Sequence, residues 1–158
     1  MTNSPDLPSR DTQDLDRALR SSRVTAGGFL ARDDRPLDRI IAEDLAVLST
    51  RGLTPQQVGR RMQELTDRAK AGLGTEVVIS DRLVVWCDEW KGLILCPWPH
   101  GGQFDKRLTT ARRTDTGRTI CWTDLNIHLI AEHGFFEGKG SPFRIEPQDL
   151  IELLFAGA

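Results

Sequence analysis

The chain has 158 residues with 21 basic and 23 acidic side chains, which give a formal net charge of -2. A chain of this length buries roughly two-thirds of its unfolded surface on folding, so its core requires neither disulfides nor a structural metal. The balanced charge excludes the strongly basic overall field that attracts nucleic acids or anionic membranes.

The amino-terminal segment, residues 1–33, combines prolines, glycines and many charges with few aliphatic side chains. Ordering such a segment costs backbone entropy and buries little apolar surface in return. We therefore predict a disordered or weakly ordered tail over residues 1–33 and a single folded domain over residues 34–158.

Two helices are predicted next in the chain. The first is signalled from Asp34, with Pro36 in its first turn, presents apolar residues at helical spacing and stops at Gly52. In the stretch GLTPQQV, Thr54 is a capping residue and Gln57 completes a capping box. The second helix presents one apolar stripe and ends within Gly72–Gly74. These two helices are predicted to form an antiparallel pair.

The middle of the chain predicts an antiparallel sheet. The stretch TEVVISDRLVVWCDEWKGLILCPW contains β-branched and aromatic runs separated by Ser-Asp-Arg and by Glu-Trp-Lys-Gly, which is typical of a three-stranded meander. The stretch RLTTARRTDTGRTICW alternates around Asp115–Gly117 and predicts a further hairpin. The sequence therefore favours an antiparallel sheet of about five strands.

Two further helices are predicted towards the carboxyl end. Thr123 is a capping residue for a helix over residues 124–133, which stops at Gly134. A short FRI strand follows, and Pro147 opens a final helix. This order of elements predicts an α+β fold with the helices on one face of the sheet.

The number of cysteines and the length of the apolar runs indicate the cellular compartment of the protein. Three cysteines give no complete disulfide framework, and the first residues lack the apolar segment of a signal peptide. The longest apolar runs, such as LVVW and LILC, are far shorter than the roughly 20 residues of a membrane helix. We therefore predict a soluble cytoplasmic protein that does not associate with membranes.

Two histidines on one predicted helix are the first candidates for chemistry. His128 and His133 are five residues apart, and a helix turns about 140° beyond a full turn over that distance. We therefore expect the two rings to leave different faces, and we interpret His133 as a cation near the helix C-terminus. His128 shares a face with Glu132, an arrangement that could tune a general base.

A metal site is another interpretation of the same residue types. The stretch CPWPH places Cys96 close to His100. Cys121 ends a predicted strand, and His128 or His133 could complete the set, which contains the ligand types that zinc takes. There is no CxxC pair, and cysteines in apolar strands usually serve as small buried hydrophobes. Cys96, His100, Cys121 and His128 are therefore a hypothetical ligand set, and the sequence identifies no cofactor.

The stretch GFFEGKGSP carries charges on a short glycine-flanked path. No Ser or Thr directly follows Lys139, which disfavours a nucleotide-phosphate loop. We predict that Glu137, Lys139 and Arg144 lie near the histidines and border a concavity; the alternative is that Glu137 pairs with Arg144 and only shapes the loop. The predicted ligand-binding residues are His128, Glu132, His133, Glu137, Lys139 and Arg144.

No complete catalytic set is evident in these patterns. Aromatic residues expected at the rim of the sheet, Trp86, Trp90 and Trp98, favour a module that binds a partner protein or a second copy of itself. A small metal-binding protein or enzyme is the first alternative. Nucleic-acid binding through the helix pair is the second, and the acidic residues interleaved with its arginines disfavour it.

Overall fold

The computed structural model describes residues 10–20, 28–99 and 102–155 and shows five helices and a four-stranded sheet in them. In chain order the elements are α1 (Arg10–Arg20), α2 (Leu37–Thr50), α3 (Pro55–Lys70), β1 (Val77–Ser80), β2 (Leu83–Leu95), β3 (Gln103–Arg113), β4 (Thr119–Thr123), α4 (Asp124–His133) and α5 (Pro147–Leu154). The sheet order is β1-β2-β3-β4, and every neighbouring pair is antiparallel. The predicted mixture of helices with an antiparallel sheet is confirmed, and the predicted count of five strands is one too many.

The difference in strand number arises at the stretch EWKG. A turn was predicted there, but β2 continues through it, and its pairing with β3 resumes at Leu93. The pairing register shifts between Glu89 and Leu93, and Gly92 has a φ of 113°. Because glycine adopts this conformation without a steric penalty, the turn signal marks a β-bulge inside one long strand.

The other turns of the sheet agree with the prediction. Residues 81–82 connect β1 to β2, and Gly117, with a φ of 74°, lies in the connection from β3 to β4. The predicted FRI strand is replaced by a turn and an irregular segment. In this segment Ile145 N donates to the carbonyl oxygen of Phe136 at 3.2 Å, which ties the connection to α5 back to the chain after α4.

Helix boundaries are set by capping interactions. Thr54 Oγ1 accepts from Gln57 N at 3.2 Å, and Thr54 N donates to the Gln57 side chain at 2.9 Å. Thr123 and Asn126 make the same reciprocal pair at the start of α4. Gly134 ends α4 in the left-handed conformation, with a φ of 62°. These contacts satisfy backbone groups that helix ends leave free, which explains why the boundaries were predictable.

The helices pack differently from the predicted antiparallel pair. α3 packs mainly against α4, and α2 packs against α5. A Cβ atom at Gly59 of α3 would lie 2.7 Å from the Cβ of Ala131 in α4, so glycine permits the close approach of these two helices. The apolar stripe of a helix predicts that one face is buried but does not specify the partner. None of the helices in the described part of the chain is both long and apolar enough to span a membrane.

Two hydrophobic clusters form the core. The first lies between the helices and the sheet face that carries Val85 and Cys87, and it contains the fully buried Trp122. The Trp122 indole donates to Thr66 Oγ1 at 2.9 Å, which satisfies its polar atom inside the core. The second cluster comprises Leu19, Phe29, Leu30, Leu37, Ile40, Cys96, Leu125, Leu129 and Phe135. This second cluster packs three parts of the chain together: the amino-terminal segment, α4 and the residues at the end of β2.

Part of the amino-terminal segment contributes to this second cluster. Leu19, Phe29 and Leu30 are at most 2 % exposed, and Leu30 N donates to Leu19 O at 3.1 Å. Composition had predicted a weakly ordered tail over residues 1–33. Among the described residues of that segment, Leu19, Phe29 and Leu30 are buried, which an average over the composition does not reveal. A single domain over residues 34–158 stays a prediction.

Candidate metal centre

Three potential metal ligands from distant parts of the chain lie together. Cys96 follows β2, whereas His128 and His133 belong to α4. One ligand atom of each residue lies within 4.8 Å of the other two, and the distance from Cys96 Sγ to His133 Nε2 is 3.7 Å. Two imidazole nitrogens and one thiolate sulfur form a donor set suited to zinc, copper and related transition metals.

The two histidine rings approach each other, a contact that the expectation of rings on different faces of the helix did not include. Their centroids are 5.1 Å apart, and the rings meet edge to face at 82°. The angle between positions on a helix describes the directions of the Cα–Cβ bonds, whereas an imidazole extends several ångströms further and its direction depends on its rotamer. Here both rings contact aromatic side chains from the region around the end of β2 and the start of β3.

These aromatic side chains, Trp98, Phe104 and Phe135, form what we call the aromatic wall. Trp98 stacks on His133 with ring centroids 4.2 Å apart and an interplanar angle of 10°. Phe104 lies 4.6 Å from the ring of His128, and Phe135 lies 5.3 Å from Trp98. The wall orients both imidazoles and lowers the polarity around the donors, which are the two ways in which surrounding residues tune a metal site.

Burial controls the protonation of the three donors. It lowers the pKa of His128, although the charge of Glu132 opposes the shift. Burial and the neighbouring His128 lower the pKa of His133, and Glu132 again opposes. Burial raises the pKa of the Cys96 thiol, with a backbone hydrogen bond from Trp98 opposing. The metal-free group is therefore favoured as two neutral imidazoles and a thiol, and a bound metal would displace the thiol proton.

One ring nitrogen in this group lacks a partner. His128 Nε2 has less than 1 Å² of accessible surface and no hydrogen-bond partner among the described residues. A buried polar atom without a partner costs about 1–3 kcal/mol. A metal ion bound to this nitrogen would remove that cost.

The remaining predicted ligands do not join the group in the described part of the chain. Cys121 is exposed, and its Sγ lies 3.4 Å from Thr110 Oγ1. Its neighbour Trp122 faces the core, and side chains alternate along a strand, so Cys121 faces away. Glu132 is exposed and reaches the histidines only through its charge. His100 lies outside the described residues, so its role as a ligand stays a prediction.

The predicted loop site has a different arrangement. Glu137 is 3 % exposed and has a φ of 69°. Its carboxylate accepts from Asn126 Nδ2 at 2.7 Å and from Ser141 Oγ at 3.0 Å. Burial raises the pKa of Glu137 to about 7, with these two hydrogen bonds and the charge of Arg144 opposing.

Arg144 and Lys139 also have structural contacts. The Arg144 guanidinium donates to both carboxylate oxygens of buried Asp44, at 2.5 and 2.9 Å, and to the carbonyl oxygen of Glu137 at 2.8 Å. The Lys139 side chain is exposed, whereas its backbone N–H donates to Asp33 at 3.0 Å. Arg144 thus contacts the backbone of Glu137, while its carboxylate partners are Asp44 and Glu146. A ligand site at these charges stays a prediction.

Several contributing residues were missed in the sequence. Asn126 was inside a predicted helix, and its position three residues after Thr123 was a local signal of a capping role. Trp98 was expected in a turn at the rim of the sheet, and its place between two prolines gave no indication of stacking on His133. Asp33 and Asp44 contact residues about 100 positions later in the chain, for which no local pattern exists.

The basic side chains of α3 are partly engaged by neighbouring groups. Arg61 pairs with Glu64 at 3.0 Å and donates to Leu154 O at 3.1 Å. Lys70 lies 3.9 Å from Asp67. These contacts agree with a solvent-exposed face of α3 that carries ion pairs, and they give no support to nucleic-acid binding.

Comparison with known proteins finds no match among protein-family models, curated proteins or solved structures. The function of the chain must therefore be inferred from its own residues. Within the described residues, Cys96, His128 and His133 form a group of three potential metal ligands whose ligand atoms lie within 4.8 Å of one another.

Proposed function

We propose that the protein binds a transition-metal ion through Cys96, His128 and His133. The observation that carries the proposal is that one ligand atom of each residue lies within 4.8 Å of the other two. Metal binding was the first alternative at the level of sequence, and the convergence of the two histidines now makes it the function that the geometry supports best.

The donor distances fit a metal ion with little rearrangement. Zinc bonds of about 2.0–2.1 Å to nitrogen and 2.3 Å to sulfur imply separations of roughly 3.3–3.6 Å between donors in a tetrahedral site. The Cys96 Sγ to His133 Nε2 distance is already 3.7 Å. The widest separation in the group, at most 4.8 Å, would need to close by about 1 Å, which small side-chain rotations achieve.

A metal at this position would connect two parts of the fold. Cys96 lies at the end of β2, and its closest ring partner, His133, is 37 residues later at the end of α4. Cys96 and the α4 residue Leu129 both belong to the second hydrophobic cluster. A bound ion would therefore link the sheet to α4 and stabilise the folded state by its binding free energy.

The test is a metal titration of the full chain, purified without chelator and analysed first for metal content. Zinc and cobalt serve as probes, because cobalt bound to a thiolate develops a sulfur charge-transfer absorption that reports on Cys96. We expect one ion per chain and at least a tenfold loss of affinity in Cys96→Ser, His128→Ala and His133→Ala. The matched control is Cys121→Ser, which removes an exposed thiol outside the group and should bind as the wild type does.

Circular dichroism separates a lost ligand from a lost fold in each variant. The proposal is overturned if the folded wild type binds no ion. It is also overturned if Cys96→Ser and His133→Ala retain wild-type affinity while folded.

The uncovered edge of β2 supports a second candidate function, self-association. β1 pairs only with residues 83–85 of β2, so the rest of β2 has no strand on that side among the described residues. Trp90, Leu93 and Leu95 in this part are each more than half exposed. Unpaired backbone groups beside apolar side chains favour pairing with the same edge of a second copy.

Sedimentation velocity tests this second candidate. We expect a dimer in the wild type and a monomer after Leu93→Asp, with Leu73→Asp as the control at another exposed apolar position. A wild type that stays monomeric at high concentration would exclude the self-association candidate and leave the metal-binding proposal intact.

A further inference from the structure

The amino-terminal arm, by which we mean α1 (Arg10–Arg20) and residues 28–33, packs on the same hydrophobic cluster as one of the metal donors. Three apolar side chains of the arm are at most 2 % exposed and belong to the second cluster: Leu19, Phe29 and Leu30. Cys96 belongs to the same cluster. The arm and the candidate metal centre therefore share one set of packed side chains.

The aromatic wall connects both imidazoles to this cluster. Trp98 stacks on His133 and also packs against the second cluster. Phe104 contacts the ring of His128 and packs against the cluster as well. Phe135, two positions after His133, is a buried member of the cluster, and its ring centroid lies 5.3 Å from that of Trp98. An ion that fixes the two imidazoles would therefore also restrict side chains of the cluster on which the arm packs.

The loop after α4, residues 134–141, holds the arm by backbone hydrogen bonds. Gly138 N donates to Phe29 O at 2.8 Å, and Lys139 N donates to Asp33 Oδ2 at 3.0 Å. This loop starts directly after His133, where α4 ends. A metal ion bound to His133 would restrict the end of α4 from which the loop departs. The arm is thus connected to the candidate metal centre through the cluster and through the loop.

The arm belongs to the elements that open at low free energy. α1 has 11 residues, and isolated helices shorter than about 12–15 residues are marginal in water. Among the side chains of α1 whose burial is described, residues 13–20, Leu19 is the buried one. Elements with few buried apolar contacts open locally well before the core does. A modest gain in stability at the cluster therefore changes how often the arm undocks.

We propose that metal binding at Cys96, His128 and His133 strengthens the docking of the amino-terminal arm, so that the arm responds to metal occupancy. This inference rests on the proposed metal-binding function and gives that site a regulatory role. Linkage makes the effect reciprocal, because docking of the arm must strengthen metal binding by the same factor. Couplings of this kind typically amount to about 5- to 150-fold in affinity.

Hydrogen–deuterium exchange of the full chain, with and without saturating zinc, measures the docking. In the metal-free protein we expect the amides of the arm to exchange faster than those of β3, which shows that the arm opens locally. With zinc, the arm amides, including Leu30 N with its bond to Leu19 O, should exchange more slowly by about fivefold or more.

The internal control for this exchange experiment is the turn between β3 and β4. There Gly117 N donates to Arg113 O at 2.8 Å, and neither residue belongs to the second cluster. Exchange in this turn should be the same with and without zinc, because its local opening does not involve the cluster.

A pair of variants of the full chain tests the reciprocal effect. Leu19→Asp places a charge at a buried position and should undock the arm. Ala18→Asp is the matched control, because it adds the same charge at the adjacent, exposed position of α1. We expect Leu19→Asp to bind zinc more weakly than Ala18→Asp by about fivefold or more. Circular dichroism checks that both variants are folded, and if Leu19→Asp is not, the exchange of the wild type decides alone.

The possible failures separate the two proposals. Unchanged exchange of the arm in protein that binds zinc overturns the coupling and leaves the metal site standing. Slowing of the β3–β4 turn by the same factor as the arm, or equal zinc affinity in folded Leu19→Asp and Ala18→Asp, has the same meaning. Failure of the folded wild type to bind zinc or cobalt overturns both proposals.

Discussion

The candidate metal centre and the loop around Glu137 both bury polar groups, but these groups are satisfied differently. The Glu137 carboxylate accepts two hydrogen bonds, and Arg144 makes two with Asp44. In the metal centre, His128 Nε2 has no partner among the described residues. The buried groups of the loop satisfy one another, whereas the candidate metal centre combines converging donors with one unpaired nitrogen. A shifted pKa by itself therefore does not identify a functional site.

The loop around Glu137 also has a structural reason for its glycines. Gly138 N donates to Phe29 O at 2.8 Å, and a Cβ at Gly138 would lie 2.4 Å from Leu30 O. Only glycine fits this close contact with the amino-terminal segment. The loop is thus a packed connection between two chain segments, and the comparison with the metal centre can be tested by removing groups from each region.

The largest loss in the free energy of unfolding is expected from the substitution Arg144→Met. It leaves buried Asp44 without its cation and removes the donor to Glu137 O. Breaking a buried ion pair by deleting one partner costs about 3–5 kcal/mol. Urea denaturation should show this loss, whereas the metal affinity of the folded fraction should stay unchanged.

The control for Arg144→Met is Arg39→Met, which removes an exposed ion pair with Glu43. Such pairs contribute up to about 1 kcal/mol. If the two variants lose the same stability, the Arg144 network does not hold the loop as we infer.

Glu137→Gln should change the pH dependence of stability. Burial raises the pKa of Glu137 from 4.5 to about 7 in the folded state, so the folded protein binds this proton more tightly than the unfolded chain does. Its contribution is fully present below the unfolded pKa and is lost as the pH rises to about 7, by roughly 3 kcal/mol in total. Glutamine is neutral throughout, so the variant should lack this decline and exceed the wild type in stability at pH 8.

Denaturation of metal-free protein at several pH values measures the effect of Glu137→Gln. Glu132→Gln is the matched control, because its carboxylate is exposed and the decline should persist. A Glu137→Gln variant with the same pH profile as the wild type would show that the pKa of Glu137 is not raised in the folded protein.

A metal ion should stabilise the protein only by binding to the donors of the candidate metal centre. At a free metal concentration of 100 times the dissociation constant, linkage adds about 2.7 kcal/mol to the free energy of unfolding. The increase should persist in Glu137→Gln and vanish in His133→Ala. Thermal unfolding with and without metal measures it, and an equal increase in His133→Ala would place the ion elsewhere.

Trp98→Ala should weaken metal binding without removing a ligand. The stack on His133 is lost, and the imidazole gains rotational freedom and contact with water. Residues that support metal ligands typically contribute 10- to 100-fold in affinity. Trp90→Ala is the control, because Trp90 is 59 % exposed. If the two variants bind metal with equal affinity, Trp98 does not position His133.

The smallest effect is expected from Lys139→Ala. The contact with Asp33 uses the backbone N–H of Lys139, which alanine retains, and the side chain is exposed. The free energy of unfolding should change by less than about 0.5 kcal/mol, as is usual at surface positions. If Lys139→Ala lost metal affinity, the result would support the predicted ligand site that included Lys139.

Local chemistry in the sequence determined the helix ends and the general architecture. The capping boxes at Thr54 and Thr123 and the stop at Gly134 involve residues within a few positions of each other, so their neighbours in the chain specify them. Alternation along the strands likewise predicted an antiparallel sheet, although a glycine signal could not distinguish the bulge at Gly92 from a turn.

Only the tertiary structure decided which polar groups meet. Cys96 and His133 are 37 residues apart, and Arg144 and Asp44 are 100 apart. No periodicity relates such positions, because their contact depends on how the end of β2 and the helices pack around the second cluster. The directions of the two imidazoles depend on the aromatic wall, and for the same reason spacing along α4 could not predict that they converge.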